Sequence, residues 1–268
     1  MPNPFLAAVI IGAILSAIPA GAHEFWIEPA SASRAHVRVG QMLAGENLPY
    51  LDRIMRSARH FGPDGETLLK GRLGDSPALK ADLSAPGLHI LTVETEPAYI
   101  VFKDLAEFAD YLAYEGLQAV VAEHQARGLP DTEIAEEYFR HARSLVQVGP
   151  VRASGTDAPK GLRYEIVALT SPFAAQDGKV DLQVLWEGTA QPAVQIGVFH
   201  KGTSAGATAT RQLLRSDEDG KVTADIAAPG FYLLNAVHMR PVEGPGSVVW
   251  QSHWASLSFT VADVKQAD

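Results

Sequence analysis

Apolar and polar residues alternate over short stretches through most of this 268-residue chain, a pattern that predicts β-strands. Between His23 and about Phe102, short apolar runs are separated by turns that contain Gly and Pro, and the run 87–93 is typical of a buried strand. From Leu162 onward about seven strand-like runs follow in roughly 100 residues, which is the spacing of an immunoglobulin-like sandwich. These runs are 162–169, 180–186, 194–199, 211–215, 222–226, 231–238 and 249–261. The predicted fold class is mostly β, with two β-sandwich-like domains.

The pattern changes to a helical period between Lys103 and Val146. The first predicted helix has its apolar side at Leu105, Phe108, Leu112 and Leu117. Asp131 is a suitable N-cap for a second helix, whose buried side is Ile134, Tyr138 and Leu145. We therefore expect a helical hairpin at about 103–146, inserted into the N-terminal β domain, with His124 and His141 exposed to solvent.

The segment 153–159 is polar, contains Gly and Pro, and lacks any periodicity, which is typical of a domain boundary. We predict an N-terminal β domain over 23–152 and a C-terminal immunoglobulin-like sandwich over 160–264. Residues 1–22 are predicted to be a cleaved signal peptide. The apolar stretch over 5–17 is too short to span a bilayer. The small residues 20–22 that follow it form the Ala-x-Ala pattern that signal peptidase cleaves.

Cleavage after Ala22 gives a mature chain that begins at His23 and is periplasmic or secreted. The segment before the apolar stretch has no Lys or Arg, so an uncleaved N-terminal anchor is the alternative. The formal net charge of −9 disfavours nucleic acid as a partner. The absence of cysteine excludes thiol catalysis and Cys-based metal sites, and no catalytic motif is present, so we expect a protein that is not an enzyme.

The nine histidines are the main source of candidate chemistry. His23 stands out because a mature N-terminal histidine offers both its α-amine and its imidazole Nδ1, which together can chelate one metal ion. The α-amine has an ordinary pKa of about 7.7–8.0, so its proton is lost readily near neutral pH. The bulky residues that follow, Phe25-Trp26-Ile27, are expected to hold the terminus against a sheet.

His238 and His253 are the candidate partner ligands. His238 ends one predicted strand, and His253 lies in the next strand along the chain. The loop 241–247 would join these strands as a hairpin and bring the two side chains to neighbouring positions. The predicted metal site therefore consists of His23, His238 and His253, although each of the last two residues could equally be a buried structural histidine.

The mature start His23-Glu24-Phe25-Trp26-Ile27-Glu28-Pro29 resembles that of an exported family of unknown function, called NikM-like or NikK-like. The resemblance continues through most of the chain, at 111–112, 115–117, 144–149, 219–222, 229–234, 236–239 and 254–257. Members of that family are often encoded beside nickel and cobalt transporters of the energy-coupling-factor type. The resemblance implies a periplasmic accessory protein that binds Ni²⁺ or Co²⁺ for uptake and meets the membrane component of a transporter. His23 and His238 match the family's motif positions, whereas the position of His253 is not reliably histidine.

Three functions remain open from the sequence. The first is the nickel or cobalt accessory protein, with the metal bound through His23. The second is a copper protein with a histidine brace, either a chaperone or an oxidative enzyme, because nitrogen donors bind Cu²⁺ most tightly. The third is a structural immunoglobulin-like module that binds no metal.

Overall fold

The computed structural model describes residues 23–151 and 157–262, which form seventeen strands and two helices. The predicted signal peptide lies outside the described residues. The mostly β, sandwich-like fold class is confirmed. No helix in the described part of the chain combines the length and the apolar character that a membrane crossing requires.

A nine-stranded sheet forms the centre of the molecule. Eight of its strands lie in the order β14-β13-β16-β17-β9-β7-β4-β5, and β8 also pairs with β9. Their bounds are β4 (Met55–Gly62), β5 (Gly65–Leu68), β7 (Gly87–Thr95), β8 (Ala98–Asp104), β9 (Thr132–Val148), β13 (Gln195–Lys201), β14 (Thr210–Arg215), β16 (Gly230–Pro241) and β17 (Val248–Val261). Strands β9 and β17 are parallel, and every other pairing in this sheet is antiparallel.

Two smaller sheets pack against opposite faces of the central sheet. One contains β1 (Glu24–Ser31), β2 (Arg34–Gln41), β3 (Ala44–Leu48) and β6 (Leu79–Lys80). The other contains β10 (Tyr164–Ala168), β11 (Lys179–Trp186), β12 (Thr189–Ala190) and β15 (Lys221–Asp225). Each smaller sheet shares an apolar core with the central sheet, and burial of these two cores is the main stabilising contribution.

The central sheet joins the two halves of the chain. Strand β9 belongs to the first half and β17 to the second, and they pair over eleven residues from Val248 to Ser258 with one irregularity. Arg143 of β9 is fully buried and forms a 3.0 Å ion pair with Glu165 of β10. The seven strands predicted beyond Leu162 are all present, but four of them (β13, β14, β16 and β17) belong to a sheet that also contains strands from the N-terminal half.

The predicted helical hairpin is only partly correct. Helix α1 (Leu105–Glu115) begins at the N-cap Asp104, whose carboxylate accepts from the backbone N–H of Glu107, and ends at the left-handed Gly116. Helix α2 (Ala119–Ala126) follows it after a short turn.

The second predicted helix is wrong, because its residues form the long strand β9. Both faces of β9 are covered, so apolar residues occur on both sides and no clean two-residue period remains. Ile134 and Tyr138 face the helices, whereas Leu145 packs into the opposite core, and the helical spacing of these three residues was therefore accidental.

Candidate functional site

The three predicted metal ligands lie on opposite faces of the central sheet. His238 and His253 are directly opposed in the β16–β17 pair, so their side chains share the face that packs on β10 and β11. His23 directly precedes β1, which lies on the other face, where Ser256 and Ser258 donate 2.6 Å hydrogen bonds to the carbonyls of Phe25 and Ile27. The predicted three-histidine site therefore does not form, because the sheet separates His23 from the other two residues.

His238 and His253 both pack against the same aromatic side chain, Trp186. The Trp186 ring centroid lies 4.5 Å from that of His238 and 4.6 Å from that of His253. His238 also packs near Tyr164 and is half-buried, and burial lowers its pKa. The two histidines are thus neighbours on adjacent strands, as the sequence predicted, and both contact Trp186.

His253 instead contacts His141, one of the two histidines that we expected to be exposed. The Nδ1 atom of His253 lies 3.1 Å from Nε2 of His141, and both residues are buried. His124 is buried too, and its Nδ1 accepts a 3.0 Å hydrogen bond from the indole of Trp250. Both expectations of exposure were wrong, because His141 lies on a covered strand and His124 on the buried side of α2.

His23 is half-buried, and its Nδ1 atom is buried without a hydrogen-bond partner. Burial, followed by the nearby positive charge of Arg140, lowers the pKa of His23. The imidazole is therefore neutral near pH 7, and its unpartnered nitrogen is free to act as a ligand. This nitrogen meets the first requirement of the N-terminal chelate.

Three glutamates that are almost completely buried lie near this end of β1. Glu24 begins β1, Glu115 ends α1, and Glu136 lies in β9. Tyr114 donates to Glu24 at 3.3 Å, Tyr111 donates to Glu136 at 3.3 Å, and Ser252 donates to the same Glu136 oxygen. Helix α1 therefore covers these carboxylates with its own tyrosines. We call Glu24, Glu115, Glu136 and the neighbouring Asn235 the acidic cluster.

Helix α1 reaches the acidic cluster through its C-terminal turn. Asn235 of β16 donates to a Glu115 carboxylate oxygen at 3.5 Å. Gln195 and Arg211 each donate to the backbone carbonyl of Tyr114, at 2.9 and 2.8 Å, and hold this end of the helix on the sheet. Gly116 must be glycine here, because its φ is +78° and an added Cβ would lie 2.6 Å from the Gln195 side chain.

Burial raises the pKa values of all three carboxyl groups. The pKa of Glu115 rises to about 8, through burial and then through the charge of Glu24. Burial likewise raises the pKa of Glu24 to about 7 and that of Glu136 to about 7. None of the salt bridges formed within residues 23–151 and 157–262 involves any of the three. Their negative charge therefore requires either protons or a cation for compensation.

Several polar atoms of this region have no partner. Buried side-chain atoms without a hydrogen bond include Nδ1 of His23, Oε2 of Glu24, Oε2 of Glu136 and Oδ1 of Asn235. Buried polar atoms are normally paired, so three unpartnered oxygens within the acidic cluster are unusual, as is the unpartnered nitrogen of the preceding residue, His23. All four carry lone pairs and are of the kinds that coordinate metal ions.

These side chains are not drawn together as in a closed metal site. Within the described parts of the chain, no group of three or more His, Asp or Glu side chains is close enough to hold a metal ion unaided. A metal ion here would depend on the α-amine of a cleaved His23 as well as on side chains.

Sequence reasoning missed the acidic cluster. Glu136 was assigned to a helix, where a glutamate is ordinary. Asn235 lies within the apolar run 231–237, which was interpreted only as a strand. The available signal was the presence of Glu and Asn inside runs that are otherwise apolar, since such residues are rarely fully buried unless they have a partner.

Fold and site together define a mostly β, sandwich-like protein with a buried acidic cluster beside the start of its first strand. The family model described as "Domain of unknown function (DUF4198)" matches residues 20–240, and the chain belongs to this family. This agrees with the resemblance to an unknown-function family at that general level.

A comparison with curated proteins found no match. A matching solved structure is that of a tetra-tandem repeat in the extending region of a large adhesion protein, with 11% sequence identity and a TM-score of 0.21. The match covers 89% of this chain and 49% of that chain, so this chain spans about half of the adhesion structure. A TM-score this low supports no argument about fold or function.

Proposed function

We propose that this protein is exported and binds a divalent transition metal ion at its mature N-terminus, through His23, as an accessory protein in nickel or cobalt uptake. Cleavage after Ala22 creates the α-amine that completes the chelate with Nδ1. The metal ion is the cargo of the protein and not a structural component.

The observation that carries the proposal is the unpartnered, buried Nδ1 of His23, the residue directly before Glu24 of the acidic cluster, whose Oε2 is also unpartnered. A protein gains nothing in stability by burying a lone pair without a donor, and such an atom typically costs about 1–3 kcal/mol. A metal ion bound at Nδ1 would remove this cost.

Charge also supports the proposal. Glu24, Glu115 and Glu136 form no salt bridge among the described residues, so a divalent cation near them would replace protons on groups whose pKa values are about 7 to 8. Arg140 lies near His23 and Arg211 near Glu24 and Glu115, and both oppose a cation. Binding should therefore strengthen with rising pH.

Donor type restricts the metal. An amine, an imidazole and carboxylate oxygens suit Ni²⁺, Co²⁺, Cu²⁺ and Zn²⁺, and intrinsic affinity within this group favours Cu²⁺. Nickel or cobalt is preferred here because of the resemblance to the NikM-like or NikK-like family, which also suggests a membrane transporter as the partner. Metal analysis of the protein from its native compartment separates nickel or cobalt, copper, and no metal.

The first experiment is titration of Ni²⁺ into mature protein whose first residue is verified as His23 by N-terminal sequencing. His23→Ala should weaken binding by more than tenfold, and Glu136→Gln should weaken it by a smaller factor. His36→Ala is the matched control, because Nδ1 of His36 is also buried and unpartnered but lies on β2, opposite Glu28, which is paired with Arg38. The control should bind Ni²⁺ within twofold of the unmodified protein. Equal binding by the His23→Ala protein would refute the proposal.

A further inference from the structure

A chain of hydrogen bonds crosses the other face of the central sheet. The Nδ1 atom of His141 lies 3.1 Å from a Glu94 carboxylate oxygen, and its Nε2 lies 3.1 Å from Nδ1 of His253. On the far side, Nε2 of His253 lies 3.2 Å from Oε1 of Gln251. Two imidazoles are therefore held in line between Glu94 and Gln251.

The orientation of Gln251 is fixed by its own neighbour. Its amide nitrogen donates a 2.7 Å hydrogen bond to Glu137, which also accepts from the hydroxyl of Tyr99. A flipped amide would place its oxygen against the Glu137 carboxylate, so Oε1 must face His253. The two ends of the imidazole chain therefore both present acceptors.

This arrangement leaves one proton to be assigned. The outer nitrogens, Nδ1 of His141 and Nε2 of His253, donate their N–H groups to Glu94 and Gln251. When both rings are neutral, the inner nitrogens, Nε2 of His141 and Nδ1 of His253, therefore both carry lone pairs. Two lone pairs 3.1 Å apart repel each other unless a positive species is shared between them. An additional proton, which makes the pair cationic, satisfies every atom in the chain. A metal ion bound by both inner nitrogens would do the same.

Both histidines line a cavity. A cavity of about 650 Å³ is lined by residues that include Glu94, Phe139, His141, Arg163 and His253. The Phe139 ring stacks on His253 with centroids 4.9 Å apart, which fixes the plane of that imidazole. The two imidazoles thus lie at the wall of this cavity, but both are buried, so an ion from the cavity reaches the inner nitrogens only when the rings move apart.

We propose that His141 and His253 form a second binding position for a divalent transition metal ion, which enters from this cavity and displaces the shared proton to solvent. Two nitrogens 3.1 Å apart that bind one ion at about 2.0–2.1 Å subtend roughly 100° at the ion, which suits tetrahedral or octahedral coordination. In the metal-free structure the two inner nitrogens point at each other, so both rings must tilt slightly toward the cavity to bind one ion. Water fills the remaining coordination positions.

The partners of the outer nitrogens also fit this role. Histidines that bind metal ions usually donate the other ring N–H to a carboxylate or a carbonyl oxygen, as His141 does to Glu94 and His253 to Gln251. The position is independent of the proposed N-terminal function, because it uses different residues on the opposite face of the sheet.

The test uses mature protein with one extra Ala before His23, which lacks the N-terminal chelate. Cu²⁺ is titrated while the imidazole signals are followed by ¹H–¹⁵N NMR. The signals of His141 and His253 should broaden first, and those of the His60–His89 pair, whose nitrogens are 2.8 Å apart, should remain sharp.

Two variants complete the test. His253→Gln should weaken Cu²⁺ binding by this extended protein at least tenfold, whereas His60→Gln should leave the affinity within twofold. If the His141 and His253 signals stay sharp at saturating Cu²⁺ in the extended protein without substitutions, the proposal is wrong. This outcome does not depend on whether the variants fold. If His253→Gln removes Cu²⁺ binding from the extended protein while the mature protein still binds Ni²⁺ through His23, the two sites are independent. The opposite result, binding at His141 and His253 without binding at His23, would refute the proposed function and leave this inference intact.

Discussion

The two faces of the central sheet carry different chemistry on shared strands. Strands β9, β16 and β17 direct Glu136, Asn235 and Ser252 toward α1, whereas β9 and β17 direct His141 and His253 toward the smaller sheet that contains β10 and β11. One face is therefore rich in oxygen acceptors, and the other holds two imidazoles whose nitrogens lie 3.1 Å apart. A residue's position in the strand alternation decides which chemistry it joins.

This comparison shows how a sheet can bury two polar sites without breaking its hydrogen bonds. Each site is closed by an element that packs on one face, α1 on the oxygen-rich face and the Trp186 region of β11 on the nitrogen-rich face. The two faces should also respond to pH in opposite directions, since one buries carboxyl groups and the other buries a neutral imidazole.

The largest expected effect concerns Glu115. Its folded-state pKa is about 8, above the ordinary 4.5, so the folded protein binds more protons than the unfolded chain between these values. The free energy of unfolding of the metal-free protein should therefore fall as the pH rises from 4.5 through 8. Glu115→Gln should remove about 3–5 kcal/mol of this fall, as measured by denaturant unfolding at pH 5 and pH 9.

Glu123→Gln serves as the control for that measurement, because Glu123 lies exposed on α2. It should leave the pH dependence of unfolding unchanged. An unaltered fall between pH 5 and pH 9 in the Glu115→Gln protein would show that this carboxyl group is not the source of the instability.

The nitrogen-rich face should show the opposite dependence. Burial, followed by the charge of His141, lowers the pKa of His253 to about 2, well below the ordinary 6.5. Below pH 6.5 the unfolded chain thus carries a proton on His253 that the folded chain does not carry there, and stability should fall as the pH decreases. His253→Gln should reduce the loss between pH 7 and pH 4.5 by about 2–3 kcal/mol, as measured by guanidinium unfolding.

A His253→Gln protein with the same acid sensitivity as the unsubstituted protein would contradict this assignment. His200→Gln is a suitable control, because His200 is half-buried and bonds only to the Pro229 carbonyl. Its acid sensitivity should match that of the unsubstituted protein.

The smallest expected effect concerns His238, which the sequence suggested as a ligand. His238 packs against Trp186 on the face opposite to His23, so His238→Ala should change Ni²⁺ affinity less than twofold. Loss of the packing should lower stability by about 1 kcal/mol. Calorimetric Ni²⁺ titration measures the affinity, and thermal unfolding of the same sample measures the stability. A tenfold loss of affinity in the His238→Ala protein would show that His238 is a metal ligand after all.

Much of the fold could be predicted from the sequence because turn residues and short apolar runs are local signals. The seven strands beyond Leu162 and helix α1 are present near their predicted positions. Strand β9 could not be recognised, since a strand covered on both faces has no two-residue period and its length permits a helix by chance. Because β9 was predicted as a helix, His141 and Glu136 were assigned to that helix. Their contacts with His253 and Ser252 could therefore not be predicted.

The candidate site was predictable only in part for a related reason. His23 could be chosen from its position after a predicted cleavage site, and the hairpin of β16 and β17 did bring His238 and His253 into register. The face on which each side chain lies depends on strand pairing between distant parts of the chain, such as β9 with β17. The sequence contains no local signal for that pairing, so it could not show that His253 meets His141 or that Glu24, Glu115 and Glu136 are buried together.

The central claim is that His23 binds a divalent transition metal through its α-amine and Nδ1 together. The most direct measurement compares Ni²⁺ binding by mature protein that begins at His23 with binding by the same protein carrying one extra Ala. The added residue converts the amine to an amide, which is hard to deprotonate, and leaves every side chain in place. The account predicts that the extended protein binds at least tenfold more weakly and loses the part of the pH dependence that titrates near 7.7–8.0. Equal affinities and equal pH profiles for the two proteins would contradict the claim.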